Sequence, residues 1–286
     1  MSESALILGG GGVAGIAWAT GVLFGLHEHG VDLRSADRLI GTSAGSTVAA
    51  QILSGVALAD LFQRQVDPAL QNEELAPHPD VLSLMAKSFP ILLKLHDPVE
   101  RTRRIGHMAV SVKTVDEAAR RAVIAGRLPS HQWPATPLTT VAVDTETGET
   151  KLFDRHSGVD LVDAVSASCA VPGIWPPVTI NGRRYMDGGI RSNDNADLAA
   201  GCRRVVIISP LGIGKSQMPG AGLASQIARI EAAGGKTCLI EPDDASASAM
   251  GVNPLSPESR GPAGTAGRAQ GDTIFASVAA FWNARD

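Results

Sequence analysis

The chain is poor in aromatic residues, which make up 4% of its 286 residues, with a single Tyr, six Phe and four Trp. So few rings argue against base stacking or sugar stacking as a mode of recognition. There is no basic excess either. Lys plus Arg number 25 against 29 Asp plus Glu, a net charge of −4, which speaks against a nucleic-acid partner. Cysteine is scarce: Cys169, Cys202 and Cys238 are far apart, odd in number and lack CxxC spacing. A disulfide framework and a structural zinc site are therefore not expected, and reduced thiols fit a cytoplasmic protein. Charge is missing altogether from Ser4 to Leu26, a stretch long enough to imitate a membrane span. Glu3 has the wrong sign for a signal-peptide n-region, and four consecutive glycines, Gly9 to Gly12, would interrupt a spanning helix. The run reads better as a buried strand, a glycine loop and a buried helix.

What is plentiful is apolar residues, 44%, and glycine, 31 residues. The first supports one large core. Ala5–Leu8 reads as a buried strand, Val13–His29 as a helix, Arg38–Ile40 as a strand and Ala44–Leu53 as a small-residue helix, the rhythm of a parallel sheet with covering helices. Residues from about 58 to 126 read as an inserted helical region, cut by Pro68, Pro77, Pro79, Pro90 and Pro98, with a capping box at Thr114–Glu117. Leu138–Val143 and Thr150–Phe153 read as a hairpin, Leu161–Ser168 as a helix, and Val178–Ile180 and Arg183–Met186 as a second hairpin around Asn181-Gly182. Arg204–Ser209 and Thr237–Ile240 read as strands flanking the helix Leu223–Ala233. A Gly/Pro/Ser-rich segment, about 251–271, reads as loose, with a last helix at Thr273–Asn283. The expectation is a single α/β domain over 1–286.

Three motifs could carry chemistry. Gly9–Gly12, between strand and helix, offers backbone N–H donors to a phosphate or an oxyanion. Gly10-x-Gly12-x-x-Gly15 also fits a dinucleotide fingerprint, but the second strand ends in Gly41-Thr42 and the nearest acid, Asp37, lies before it. Gly41-Thr42-Ser43-Ala44-Gly45 has the strand–turn–helix setting of a nucleophile elbow, exposing the Ser43 hydroxyl. A serine needs a base. Of the histidines after Ser43, only His156 follows a plausible acid, Asp144 or Asp154, in the hydrolase order. The alternative base is Asp187 of Asp187-Gly188-Gly189, at the end of a strand; an Asp chosen for turn chemistry before two glycines is the other reading. Gly212–Ser216 echoes half a phosphate loop and reads as a surface loop. Val81–Met85 and Phe89–Leu93 could line an acyl pocket, touch a lipid surface or simply pack in the core.

The glycine loop, the early GxSxG and the late Asp-Gly-Gly, in that order, resemble the patatin-like phospholipase family. Ser166–Val178 resembles the family's segment before its aspartate strand, and Asp144–Gly148 its hairpin. The resemblance covers roughly Ala5 to Pro210. It implies a three-layer α/β/α fold with a mainly parallel central sheet and a Ser43–Asp187 dyad without a catalytic histidine. It also implies an oxyanion hole on the N–H groups of Gly10, Gly11 and Gly12, with Gly15, Gly41, Gly45, Gly188 and Gly189 in support, and no metal or cofactor. The expected activity is hydrolysis of lipid carboxyl esters through an acyl-Ser43 intermediate, by a cytoplasmic protein that can contact a membrane surface. An esterase or thioesterase on small soluble substrates, and a non-catalytic regulatory or nucleotide-binding protein, are the alternatives. One departure is Ala14, where the family usually has Arg or Lys. Headgroup and acyl-chain preference and oligomeric state are not read from the sequence.

Overall fold

A computed structural model describes residues 3–75, 97–213 and 222–284. Val81–Met85, Phe89–Leu93 and the end of the Gly212–Ser216 motif lie outside the described residues. The strands are β1 (Ser4–Leu8), β2 (Arg38–Thr42), β3 (Leu138–Asp144), β4 (Thr150–Phe153), β5 (Val178–Ile180), β6 (Arg183–Asp187), β7 (Arg204–Ile208) and β8 (Lys236–Ile240). They form one sheet in the order β5-β6-β3-β2-β1-β7-β8, with β4 also paired to β3. The pairs β1/β2, β1/β7, β2/β3 and β7/β8 are parallel; β3/β4, β3/β6 and β5/β6 are antiparallel.

The strands of the parallel part are buried on both faces because successive side chains point opposite ways. Leu6 and Leu8 of β1 join one core with Leu39 and Ile208, under the helices α1 (Gly12–Glu28), α2 (Ala44–Ile52) and α3 (Leu58–Val66). Ala5 and Ile7 point into a second core with Val205 and Ile207, closed by the 3₁₀ turn Ala196–Ala199 and a later helix, Leu223–Ala232. The result is the three-layer α/β/α arrangement, with a mainly parallel sheet as the middle layer. No helix among the described residues is long and apolar enough to cross a membrane; the uncharged run Ser4–Leu26 is β1, the glycine loop and most of α1.

Between α2 and β3 the described residues form α3, a 3₁₀ turn at Pro68–Leu70, α4 (Pro98–Ser111) and α5 (Glu117–Arg127), with no strand. Pro98 opens α4 rather than breaking it, since it needs no N–H at the first helical position; Asp97 caps that end by accepting from Val99 N at 2.9 Å. The α5 cap differs from the expected box. Asp116, not Thr114, accepts from Ala119 N at 3.0 Å, and the Glu117 carboxylate turns away to accept from Thr179 N at 2.6 Å. The helix α6 (Leu161–Ser168) and the hairpin at Asn181-Gly182 are as expected; both turn residues have positive φ, 51° and 77°, the mark of a type I′ turn.

The largest correction concerns the C-terminal part. In chain order α7 is Leu223–Ala232, α8 is Asp244–Met250 and α9 is Arg260–Trp282. The segment expected to be loose, about 251–271, is therefore helical from Arg260 onward. Its glycines are there for contact, not looseness. A Cβ on Gly267 would strike the Trp18 carbonyl, and one on Gly21 the Gly264 carbonyl, so α1 and α9 cross backbone to backbone. Trp18 Nε1 donates to Gln270 Oε1 at 3.0 Å across the same seam. The tertiary contact outweighs the roughly 1 kcal/mol that each glycine costs in a helix.

Replacing Gly21 with Val should force the two helices apart and lower the unfolding free energy by about 1–3 kcal/mol or more. Gly261→Ala, whose new methyl would stand 3.7 Å from the Val66 carbonyl, should raise it by about 0.5–1 kcal/mol. Urea unfolding of the two variants beside the parent checks both signs.

Candidate active site

Ser43 sits between the last residue of β2 and the first of α2, with φ 52° and ψ −120°. A side-chain-bearing residue in that region carries about 1–3 kcal/mol of strain. The two glycines of the motif make the turn possible. A Cβ on Gly45 would strike the Leu8 carbonyl, and one on Gly41 the backbone of Ser46. The main chain of Ser43 is pinned on both sides: its N–H donates to Ser168 Oγ at 2.9 Å, and its carbonyl accepts from Ser46 N at 2.9 Å, Ser46 Oγ at 2.6 Å and Cys169 Sγ at 3.2 Å. The hydroxyl is left for other work.

The strand register brings Asp187 to it. Thr42 lies opposite Val141 of β3, and Asp187 lies opposite Ala142. Adjacent residues of one strand thus carry the last residues of β2 and β6, and the two ends converge. Asp187 Oδ1 accepts from Gly189 N at 2.7 Å, whereas Oδ2 is buried and has no hydrogen-bond partner among the described residues. Desolvation by burial pushes the carboxyl up from 3.8 to about 7; the Ser43 hydroxyl and the Gly189 N–H pull the other way, favouring the charged form. The Ser43 hydroxyl is thus the side-chain group that favours the ionised carboxylate. Gly188 lets β6 end against β3, since a Cβ there would strike the Val141 carbonyl.

The glycine loop lies on the other side of Ser43; a Cβ on Gly10 would be 3.5 Å from Ser43 Cβ. Its donors are not equivalent. Gly10 N already donates to Asn193 O at 2.7 Å, and Gly15 N to Gly11 O at 2.8 Å. The expectation that Gly10 serves as an oxyanion donor is thereby corrected: its N–H is spent on anchoring the loop. The N–H groups of Gly11 and Gly12, and of Ala44 at the start of α2, have no partner among the described residues. All three residues line one cavity of about 360 Å³, together with Ser43 and Asp187. Gly12 has φ 63°, a conformation that suits glycine.

Residues that sequence reasoning passed over complete the site. Asn195 is fully buried in the left-handed region, φ 50°. Its Nδ2 lies within hydrogen-bonding distance of Thr42 Oγ1 (3.0 Å), Gly188 O (3.2 Å) and Ser192 O (2.7 Å), tying the end of β2 to the turn after β6. Nothing in its surroundings in the sequence marks it. Cys169 and the helix-α5 arginines Arg120 and Arg127 also line the cavity. Arg120, Ile124 and Arg127 are all buried and lie at helical spacing, the one signal that could have set them apart.

The other sequence candidates fall elsewhere. Asp37 accepts from Glu3 N and Ser4 N, each at 2.8 Å, at the beginnings of β1 and β2, so it lies at the opposite end of the sheet from the glycine loop. A ribose bound at the loop could not reach it. Asp154 accepts from the backbone N–H of exposed His156 at 2.9 Å in a turn after β4, and Asp144 is engaged by Arg183 at 2.9 Å. Among the described residues no histidine lines the cavity, and no group of three His, Cys, Asp or Glu could hold a metal.

Two solved structures show a distant likeness. VipD from Legionella pneumophila is 14% identical over a match that covers 96% of this chain and 67% of that one, with a TM-score of 0.47. The type III effector protein ExoU is 15% identical over 96% of this chain and 53% of its own, with a TM-score of 0.41, so the chain spans about half the length of that protein. At these scores neither adds to the fold described above. The Patatin family model, described as patatin-like phospholipase, matches residues 6–200, from β1 through the glycine loop, the elbow and the Asp-Gly-Gly turn. That span is well over half of the sequence, and the chain belongs to the patatin-like phospholipase family.

Proposed function

We propose that this protein is a serine hydrolase of lipid carboxyl esters that works through Ser43 and Asp187. The observation that carries the reading is a strained, outward-turned serine beside a buried carboxylate whose Oδ2 has no hydrogen-bond partner among the described residues. As Ser43 Oγ attacks the ester carbonyl, Asp187 takes its proton. The negative charge that develops on the carbonyl oxygen falls among the N–H groups of Gly11, Gly12 and Ala44. Collapse of the tetrahedral intermediate breaks the C–O bond, and the leaving alkoxide takes the proton from Asp187. A water then gives its proton to Asp187 and attacks acyl-Ser43, releasing the carboxylic acid and returning the proton to Ser43 Oγ. A carboxyl titrating near 7 suits both halves, because it accepts and returns a proton with little penalty.

The apolar part of the cavity wall, including Val13, Ile16, Ile174, Trp175 and Leu255, supports an acyl chain as the ligand. Val252 and Ile213 are exposed and neighbour the lining residues Pro254 and Leu211 in the chain. Exposed apolar side chains so near the lining residues in sequence favour peripheral membrane contact.

Ser43→Ala should remain folded, lose covalent labelling by a fluorophosphonate and lose ester turnover; labelling that persists at another residue would overturn the assignment. Asp187→Asn should lower kcat by about 10²–10⁴-fold. Faster turnover of phospholipid vesicles than of monomeric short esters separates a lipid hydrolase from a soluble esterase.

Because ionised Asp187 is the active base, kcat/KM should rise with pH through about 7 and level off above it. A rate already flat between about pH 5 and 8 would contradict this.

The same carboxyl should cost stability. Its neutral form is favoured on folding, so this group's contribution to stability is full below about pH 4 and is lost as pH rises through about 7. Asp187→Asn cannot ionise. It should therefore melt at a higher temperature than the wild type above pH 7, with the gap closing toward pH 4, as followed by circular dichroism.

A further inference from the structure

The cavity holds a second polar feature that the proposed hydrolysis does not use. Arg120 and Arg127 are each 5% exposed. Among the described residues the carboxylate that pairs with them is Glu74, whose side chain is also 5% exposed. Arg127 Nε donates to Glu74 Oε1 at 3.1 Å, Arg260 Nη2 stands 3.5 Å from Oε1, and Arg120 Nη1 is 3.8 Å from Oε2. Three guanidinium groups thus share one carboxylate. Buried charge in excess of its counter-charge is costly and calls for a reason.

For two of the three, the reason is structural. Arg127 forks onto Glu74, and Arg260 Nη1 also donates to Asn72 O at 3.1 Å, so together they join α5 and α9 to residues 72–74. Arg120 does no such work. Its side chain makes no hydrogen bond among the described residues, and its buried Nη1, 3.8 Å from Glu74 Oε2, is too far for one. The guanidinium is stacked on the Trp175 ring, 3.9 Å from the centroid, which holds the fork in the cavity wall. Burial and then the neighbouring Arg127 bring its pKa down to about 10, which still leaves it charged at neutral pH. Cys169 connects this feature to the reacting centre: its Sγ donates to Ser43 O at 3.2 Å and feels the charges of Asp187, Arg127 and Arg120.

We propose that Arg120, backed by Arg127, binds an anionic group of the substrate, a phosphate or a carboxylate, so that the preferred esters are those of anionic lipids. The inference rests on the hydrolase reading above and names its substrate class. A guanidinium fork matches both anions through paired N–H···O bonds, and each such charge-assisted contact is worth more than a neutral one.

Two ester pairs test it and separate the two anions. Lysophosphatidate against monoacylglycerol places a phosphate on the alcohol side, and the 4-nitrophenyl hemiester of glutarate against 4-nitrophenyl pentanoate places a carboxylate on the acyl side. The wild type should favour the anionic member of at least one pair by roughly tenfold or more in kcat/KM. Arg120→Gln should collapse that ratio mainly through KM, and Arg120→Lys should keep part of it. A wild-type ratio of one or less in both pairs, or a ratio unchanged in Arg120→Gln, would overturn the proposal. Should Arg120→Gln fail to fold, the wild type still decides: n-butyl phosphate or pentanoate should inhibit competitively where n-butanol does not, and equal inhibition by all three sinks the idea. Calorimetric binding of n-butyl phosphate and of pentanoate to Ser43→Ala reports on the anion site without turnover. Binding of either there beside a chain that never labels or hydrolyses would retire the hydrolase reading alone, whereas turnover with no binding of either would retire the anion site alone.

Discussion

The chemistry open to this protein depends on one uncompensated carboxylate. Asp187 is buried at the end of β6 with one oxygen satisfied by Gly189 and the other by nothing but the neighbourhood of Ser43. A fold selected for stability alone would not keep such a group, because the loss of hydration is not returned by a full set of hydrogen bonds. The surrounding structure bears that cost: a sheet buried on both faces, and two helices in backbone contact behind the glycine loop. A buried carboxylate with a raised pKa and a strained serine beside it both draw on the same surplus stability.

Geometry at the site is set by rigid elements rather than by loops. The elbow is held between β2 and α2, and the carboxylate by pairing with β3. Asn195 closes the angle between them with three contacts from one amide nitrogen. The glycine loop is anchored at Gly10 by Asn193 and at Ala14 by the carbonyl of Pro254, so the amides of Gly11 and Gly12 are aimed without a ligand present. Donors fixed in advance cost no reorganisation when charge develops. The arginine pair on α5 is fixed in the cavity wall as well, Arg127 by Glu74 and Arg120 by stacking on Trp175.

Much of the fold could be read from the chain because its signals are local. Strand–glycine–helix junctions, the Asn181-Gly182 turn and the apolar runs of β1 and β7 each lie within a few residues. The elbow at Ser43 is legible for the same reason, since two glycines and a serine in five residues are enough to dictate the turn. Features that misled were those whose meaning lies in a distant partner. Glycines 261–271 suggest looseness until Trp18 and Gly21 of α1 are set against them. The α5 cap fell to Asp116 because Glu117 found Thr179, sixty-two positions away. Arginines on a charged helix suggest solvent, and only packing shows that Arg120 and Arg127 face inward.

The sequence by itself determined the order of strands and helices, the elbow, and the identity of an acid at the end of a late strand, all properties of short segments. Tertiary structure alone decided that this acid reaches the serine, which loop amides stay free, and which arginines line the cavity. The reason is register: a strand slipped by one residue would point Asp187 to the other face of the sheet, and no short stretch of sequence carries that choice.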